Sequence, residues 1–403
     1  MSRLFIGAFI GGATLEVWGV VVIGSSVAAM RAAISAKSNG ASVLMLSDTG
    51  MGAPSSSSDP AGLAASMTES STRGHRDDTI RSGDFLCDQD IVSKTSSTSC
   101  NQVAELERWG LLFRRNSEGI PHVETHPGHQ MPRATGTGDT TQREIYRILD
   151  EQCKKYSIPQ RTDVLVLEII ASDNHLHGVV ILDFARGEVF SIQSKALIIA
   201  DDTFEGAWSG NEVGGWGMQL ASDAGVMLRD LEFQAWNPMV VESTNLALPL
   251  SLLSNGAKLL STDGIEITGS TATELAMAMN LDESNGVVDA RDLNPDSKVW
   301  FADTNDLVMS RTGIDIYSDV IPVTPSVEFC IGGIPIDEHG RVILGNWTTW
   351  FTGLYAAGDA ACSGLHGASL VSGNRLLDSL TSGAAAGEHA AEWISSTKHS
   401  GNE

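Results

Sequence analysis

The sequence predicts an α/β fold, and three stretches carry that prediction. WGVVVIGSSVAAMRAAISAKSNGASVLMLSD, residues 18–48, reads as a strand, a tight turn, a helix and a second strand. VLVLEIIA, HGVVILDF, GEVFSIQS and KALIIAD, within residues 164–201, read as four strands with the alternation of an antiparallel sheet. GLYAAGDAACSGLHGASLVSGNRLLDSLTSGAAAGEHAAEWI reads as a strand, a glycine-rich loop and a long alanine-rich helix.

Each element has a local cause. VVVIG is a continuous apolar run, as a buried parallel strand requires. AAMRAAISAKSNG puts Ala on the side facing the sheet and stops at Asn39-Gly40. ASVLMLSD is again apolar, completing a βαβ unit of about 30 residues. Residues 51–62 form a small-residue loop, and 74–113 read as helical. Residues 121–141 are rich in Gly, Pro and His, and REIYRILDEQCKKY and GWGMQLASDAGV read as helices. Residues 237–325 mix strand and helix signals, and the final SSTKHSGNE is expected to fray.

Of 403 residues, 26 are Lys or Arg and 50 are Asp or Glu, a net charge of −24. That balance argues against a nucleic-acid partner, which needs clustered cations. The five cysteines (87, 100, 153, 330 and 362) form no CxxC pair. A reducing compartment suits them better than a disulfide framework or zinc knuckle. Residues 4–23 are apolar but contain Glu16 and lack a cleavage-site pattern. Neither a signal peptide nor a membrane span is read there. A cytoplasmic location is expected, with peripheral attachment at the inner face of a membrane as the alternative.

The first turn, Gly24-Ser25-Ser26-Val27-Ala28-Ala29, stands against the dinucleotide fingerprint G-x-G-x-x-G/A. Gly24 supplies the tight turn. Ser26 stands where a second Gly lets the backbone approach a pyrophosphate, and Ala29 is an accepted third residue. The free N–H groups of the helix start attract phosphate. Two of three positions match, and a plain βαβ packing turn would explain the same residues.

The order of these elements resembles the two-dinucleotide-binding-domain flavoprotein fold, and particular phrases resemble the succinate dehydrogenase/fumarate reductase flavoprotein family, with L-aspartate oxidase as a relative. SGDFLCDQD before ELERWGLLF, GHQMPRATGTGD, IPVTPSVEFCIGGIPIDEHGRV and GLYAAGDAACSGLHGASLVSGNRLLDS carry the likeness. It implies a Rossmann-like FAD-binding domain over 15–236 and 326–395, with a reduced α+β capping domain over 237–325 between them.

The resemblance also implies a cofactor set. Gly24, Ser25, Ser26, Ala28 and Ala29 would hold the pyrophosphate. Ser47, with Asp48 as a substitute, would face the ribose. Ala61 and Gly62 close the small-residue loop beside the cofactor, and Val164 would pack by the adenine. Gly358 and Asp359 would bond ribityl or ribose hydroxyls. Asn374, Arg375, Leu376 and Leu377 open the last helix toward the flavin O2/N1 edge. Arg375 replaces a usual Ser, and either favours an anionic reduced flavin or points to solvent. The segment Ala200-Asp201-Asp202-Thr203 stands where the family has ATGG, and two carboxylates there would repel an anionic dinucleotide unless they turn outward. The family's flavin-linking His falls near Ser55 and Ser56, so FAD is expected to be non-covalent.

The dicarboxylate machinery is where the sequence departs. Such a substrate needs cations for its carboxylates and a proton carrier opposite the flavin. By the resemblance these positions read Asn237, Glu328, Leu370 and a Thr273–Ala278 segment with no arginine. Arg133, Glu328 and His366 remain as candidate catalytic groups. Each has a structural alternative: Arg133 and Asp139 as loop staples, Glu328 as a partly solvated surface carboxylate, His366 as a hydrogen-bonded turn residue. A shifted register would instead make Arg291 the proton-shuttling arginine. His126 and His129 lack a Cys or carboxylate at ligand spacing, and no metal is expected. The implied function is a FAD-dependent oxidoreductase with altered substrate, served by an iron–sulfur electron-transfer subunit. The alternative is a catalytically degenerate paralogue acting as a structural or regulatory subunit.

Overall fold

A computed structural model of the chain describes residues 16–50, 62–204, 214–281, 285–345 and 348–397. The apolar N-terminal stretch before residue 16, Ala61 and the serines at 55 and 56 lie outside them.

β1 (Glu16–Ile23), α1 (Val27–Ser38) and β2 (Val43–Leu46) form the expected βαβ unit, with β1 and β2 parallel from Val20↔Val43 to Ile23↔Leu46. The helical stretch expected over 74–113 is two helices, α2 (Glu69–Ser82) and α3 (Gln89–Trp109). Asp84 and Phe85 take φ of 52° and 61° between them, and the Asp88 side chain caps α3. The short β3 (Leu63–Ala64) and β4 (Ala134–Thr135) pair with each other, and α4 (Thr141–Lys155) follows with one apolar face of Ile145, Ile148, Leu149 and Cys153. β5 (Gln160–Arg161) then pairs parallel with β2.

The four strands expected over 164–201 are three: β6 (Val164–Ser172), β7 (His175–Asp183) and the 12-residue β8 (Glu188–Ile199). β8 spans the last two predicted segments because it changes partner midway. Its first half pairs antiparallel with β7. Its second half pairs parallel with the last long strand, while its other edge follows β1 from Ile192 to Ile199. The side-chain pattern changes accordingly, from half-exposed alternation to the unbroken burial of Ala196–Ile199.

After α5 (Trp216–Asp223) the chain leaves this sheet along β9 (Gln234–Val241). The inserted unit holds α6 (Ser251–Ser254), β10 (Lys258–Ser261), α7 (Ala272–Leu281), β11 (Gly286–Asp289), α8 (Pro295–Trp300) and α9 (Ala302–Thr312), and returns along β12 (Ile321–Cys330). Its sheet runs β10-β11-β12-β9, antiparallel throughout, over a core of Met239, Leu252, Leu259, Phe301 and Ile321. β9 and β12 pair from Val241↔Val323 to Gln234↔Cys330, with register shifts between Thr324 and Ser326 and between Val327 and Phe329, so the expected boundaries at 236/237 and 325/326 fall within this strand pair.

β13 (Ile334–Pro335), β14 (Arg341–Ile343), β15 (Trp350–Ala356) and β16 (Ala361–Cys362) rejoin the main unit, and α10 (Asn374–Ser396) closes it. Among the described residues the main sheet has 8 strands, with β15-β8-β1-β2-β5 as its parallel part. One face is covered by α1, α4 and α10, the other by β6, β7, α5 and the β13 region. α10 crosses α1 at backbone contact distance: a Cβ on Gly387 would sit 2.2 Å from the Ala32 carbonyl oxygen, and one on Gly383 2.6 Å from that of Ala28. The small residues of both helices permit this approach.

Candidate cofactor and substrate site

The carboxyl ends of β1, β2 and β8 meet at one crevice, the place where open parallel sheets bind ligands. Gly24 turns the chain there at φ +113°, and its N–H donates to the Leu46 carbonyl at 2.8 Å. A Cβ at Gly24 would lie 2.4 Å from the Ala200 oxygen, so this glycine is demanded by packing against β8. Ser26 caps α1: its Oγ accepts from Ala29 N at 3.1 Å and donates to Ala200 O at 2.6 Å. That hydroxyl ties the helix start to β8, while Ala28 and Ala29 are buried beneath it.

Ser47 ends β2, buried, with its Oγ 3.2 Å from the Thr49 hydroxyl. The Ser25 hydroxyl lies 3.5 Å from the same group. Val164 is buried and donates its N–H to Ser47 O at 3.0 Å. Asp48 is exposed. Three neutral hydroxyls beside a helix N-terminus suit a ribose and phosphate, so these residues fit a dinucleotide.

Asp201 resolves the expected repulsion. It turns onto α5, where its Oδ2 accepts the Gly217 N–H at 2.6 Å. A Cβ on Gly217 would lie 2.3 Å from the Asp201 Oδ1, so only glycine admits this cap. Burial, reinforced by the nearby Asp48 charge, pushes the carboxyl up to about 7. Asp202 uses its carbonyl to hold Gly215 N at 3.1 Å.

At the other end of the crevice, Gly62 takes φ +87°, with the Thr135 carbonyl 2.9 Å from where a Cβ would be. Gly358 lies against Ala28 with φ +62°, and its N–H donates to Ser382 Oγ at 2.9 Å. Asn374, 1% exposed, accepts from His75 Nε2 at 2.7 Å and donates to Thr79 Oγ1 at 3.0 Å. His75 Nδ1 lies 3.0 Å from the Ser66 hydroxyl. Since the Asn374 oxygen only accepts, Nε2 carries the proton, and burial holds the ring neutral by lowering it to about 4. Leu376 and Leu377 point into the core.

Arg375 does not point to solvent. It is 5% exposed and grips Asp359 with Nε at 3.1 Å from both carboxylate oxygens and Nη2 at 2.5 Å from Oδ2. Its guanidinium also lies 4.7 Å from the centre of the Phe329 ring. The His366 ring meets Phe329 edge-on at 5.8 Å. His366 is not the hydrogen-bonded turn residue of the structural alternative: neither ring nitrogen has a hydrogen-bond partner, and Nε2 stands 3.7 Å from Asp378 Oδ2. Nor is Glu328 a solvated surface carboxylate; it is buried on β12. Asn237, opposite Ser326, turns its oxygen onto Met239 N at 2.8 Å. Leu370 packs with Phe233, Ala235, Phe329 and Ile331 in a separate apolar cluster.

Arg133 has no exposed surface and bonds Asp78, whose Oδ2 also accepts from Gln130 N at 2.9 Å. Asp139 accepts from both the N–H and the hydroxyl of Thr304, at 2.8 and 2.9 Å. It fastens the approach loop to α9. The same loop is held on two more sides: Gly128 N donates to Ser270 O in the inserted unit at 2.5 Å, and His129 Nε2 donates to Ser372 O at 2.8 Å. Arg291 lies half-exposed, paired with Asp289 at 2.8 Å. Sequence reasoning missed the Arg375–Asp359 pair and Asp378. A signal existed for Asp378, which falls four residues after Asn374 on one helix face.

A parallel-sheet crevice with a glycine turn, a capped helix start and neutral hydroxyls defines a dinucleotide-binding flavoprotein, and an FAD binding domain family model matches residues 19–376. The chain belongs to the succinate dehydrogenase/fumarate reductase flavoprotein family. It is 28% identical over 364 residues to the fumarate reductase flavoprotein subunit of Haemophilus influenzae, covering 80% of this chain and 59% of that protein. It is 26% identical over 414 residues to the succinate dehydrogenase flavoprotein subunit of Rickettsia felis, covering 93% and 70%. The fold matches E. coli quinol fumarate reductase with a TM-score of 0.89 at 23% identity, over 97% of this chain and 72% of that one. The chain thus spans less than two thirds of the length of the Haemophilus protein. Among the described residues no helix is long and apolar enough to cross a membrane.

Proposed function

We propose that this chain is a FAD-dependent oxidoreductase whose substrate is not a simple dicarboxylate. FAD, when bound, supplies two-electron chemistry. One observation carries the substrate reading: Leu370 packs among Phe233, Ala235, Phe329 and Ile331, where the family resemblance puts an arginine. The guanidinium beside that cluster, Arg375 at Phe329, is already paired with Asp359, so a second carboxylate would have to compete for it. The apolar cluster favours a substrate that presents hydrocarbon on that side. FAD is held without a covalent bond, because serines stand where the family's linking histidine falls. The electron-transfer partner that the resemblance proposes is an iron–sulfur subunit, and peripheral membrane attachment follows only through such a partner.

The test begins with the visible spectrum of the purified chain. A flavin spectrum near one FAD per chain, full release of flavin on acid precipitation, and no reduction by succinate are expected. Bleaching by succinate at family-like rates overturns the substrate reading, and colour retained on the precipitate overturns the non-covalent one. The Arg375–Asp359 pair favours a second reading, a degenerate paralogue with a structural or regulatory role. The acid expected to bond cofactor hydroxyls already has a partner. A chain that binds added FAD stoichiometrically and is reduced by any donor removes that reading.

A further inference from the structure

A cavity of about 440 Å³ opens between α3, the β13–β14 turn and α10. Its lining includes Asp378 and Ser363. Asp378 is 6% exposed and Ser363 8%, so the cavity reaches buried groups. From Asp378 the next polar group inward is the unpartnered imidazole of His366, 4% exposed. Beyond His366 stand Phe329 on β12 and the Asp359–Arg375 pair at the start of α10.

We infer that Asp378 and His366 form a proton relay between this cavity and the cofactor cleft at the start of α10, where the Asp359–Arg375 pair stands. The inference rests on the oxidoreductase reading, since a two-electron reaction in that cleft must exchange protons with solvent.

The geometry allows each step. A proton from solvent in the cavity converts the Asp378 carboxylate to the acid. Its O–H bond breaks as an N–H bond forms at His366 Nε2, once rotation or one water closes the 3.7 Å gap. The imidazolium then releases its Nδ1 proton to the proton-accepting atom in the cleft, and no electron moves in the relay. The orphaned Nδ1 supports this role, because a buried polar atom without a partner is costly unless something visits it.

The surrounding charges suit a transient relay. Burial, with the Asp359 charge adding, raises Asp378 to about 7, against the Ser363 hydroxyl bond at 3.3 Å that lowers it. Burial lowers His366 to about 4; Asp359 opposes this and Arg375 adds to it. The resting form is therefore acid plus neutral imidazole near neutral pH, and the imidazolium is short-lived. At the cavity, Asp378 is faced by Lys94 from α3, by Asp337, Glu338 and His339 from the β13–β14 turn, and by Glu388, His389 and Glu392 further along α10.

The test follows the proton directly. Infrared difference spectra of the full chain across pH should show the C=O stretch of a protonated carboxyl lost with a midpoint near neutrality. Asp201, also raised to about 7, contributes to that band, so Asp378→Asn should remove the Asp378 component and leave that of Asp201; a band left unchanged overturns the relay. Ser363→Ala, a milder change, should move the midpoint upward by removing the bond to the carboxylate; it carries the test if Asp378→Asn does not fold. With ¹⁵N-labelled histidine, the His366 ring signals should shift with the same midpoint, and lose that shift in Asp378→Asn. No band titrating near neutrality, or a His366 signal that ignores it, overturns the relay. These measurements need no flavin. In the flavin-loaded chain, the rate of flavin reduction by an added donor should break at the Asp378 midpoint in its pH profile, and His366→Gln should abolish that break while leaving the infrared band. A break that survives His366→Gln overturns the histidine step. A flavin that no donor reduces, with the acid–imidazole coupling intact, overturns the oxidoreductase reading instead.

Discussion

Arg375 and Asp359 form a buried two-pronged ion pair across the start of α10, with the guanidinium Nη2 2.5 Å from Oδ2 and both residues less than a tenth exposed. A pair so placed is held by geometry rather than by net stability, since desolvation of both charges offsets their attraction. Breaking it from one side is different. Arg375→Leu leaves Asp359 buried without its cation, and should cost ~3–5 kcal/mol in chemical denaturation. Arg375→Lys should lose much of that too, because a single ammonium cannot reproduce the fork. Wild-type stability in Arg375→Leu would show that the pair is incidental.

The α1–α10 crossing depends on glycine at position 387, where an added methyl would stand 2.2 Å from the Ala32 carbonyl. Backbone, not a flexible side chain, is what it would strike, so the helices must separate. Gly387→Ala should destabilise by ~1–3 kcal/mol despite the better helix propensity of alanine. Since Ala28 is on the same helix α1 and opens the crevice, the separation should also weaken FAD binding, measured by flavin retention on gel filtration.

Asp201 should make stability fall toward alkaline pH. Its carboxyl is raised from 3.8 to about 7 in the folded chain, so the folded state holds the proton more tightly. Its contribution is fully present below pH 3.8 and is lost as pH rises through about 7. Asp201→Asn keeps an oxygen for the Gly217 N–H and does not ionise. Denaturation midpoints at pH 6 and pH 8 should differ less in this variant than in the wild type, with the variant the more stable at pH 8. An identical pH profile for the two would remove Asp201 as the cause.

The sequence was most informative where one residue type answers one geometric demand. VVVIG, Asn39-Gly40 and Gly24 announced β1, the end of α1 and the crevice turn, because burial on both faces and positive φ each leave a compositional mark. β8 was harder to read. Its partner changes at Ser194–Lys195, and the resulting switch from alternation to continuous burial imitates two strands. The α2–α3 break was hidden because Asp84 and Phe85 take positive φ without glycine. In the site, the sequence offered the replacements Asn237, Glu328 and Leu370 as an expectation, but none of the pairings. Arg375 meets Asp359, and His366 meets Asp378, through the fold of a glycine-rich loop that no periodicity encodes. Asp201 looked like damage to a cofactor segment until α5 placed Gly217 against it.

Restoring one cation should not restore diacid chemistry. Leu370→Arg would push a guanidinium among the apolar side chains of Phe233, Ala235, Phe329 and Ile331, beside a guanidinium, Arg375, that already stands against Phe329. An unpaired buried charge outweighs what a single substrate carboxylate could return, because the other replaced positions, Asn237 and Thr273–Ala278, still offer no cation. The expected outcome is a chain less stable by ~2–5 kcal/mol that still fails to oxidise succinate. Succinate oxidation by Leu370→Arg alone, read as flavin bleaching under anaerobic conditions, would mean that the apolar cluster is a late filling of an otherwise intact diacid site.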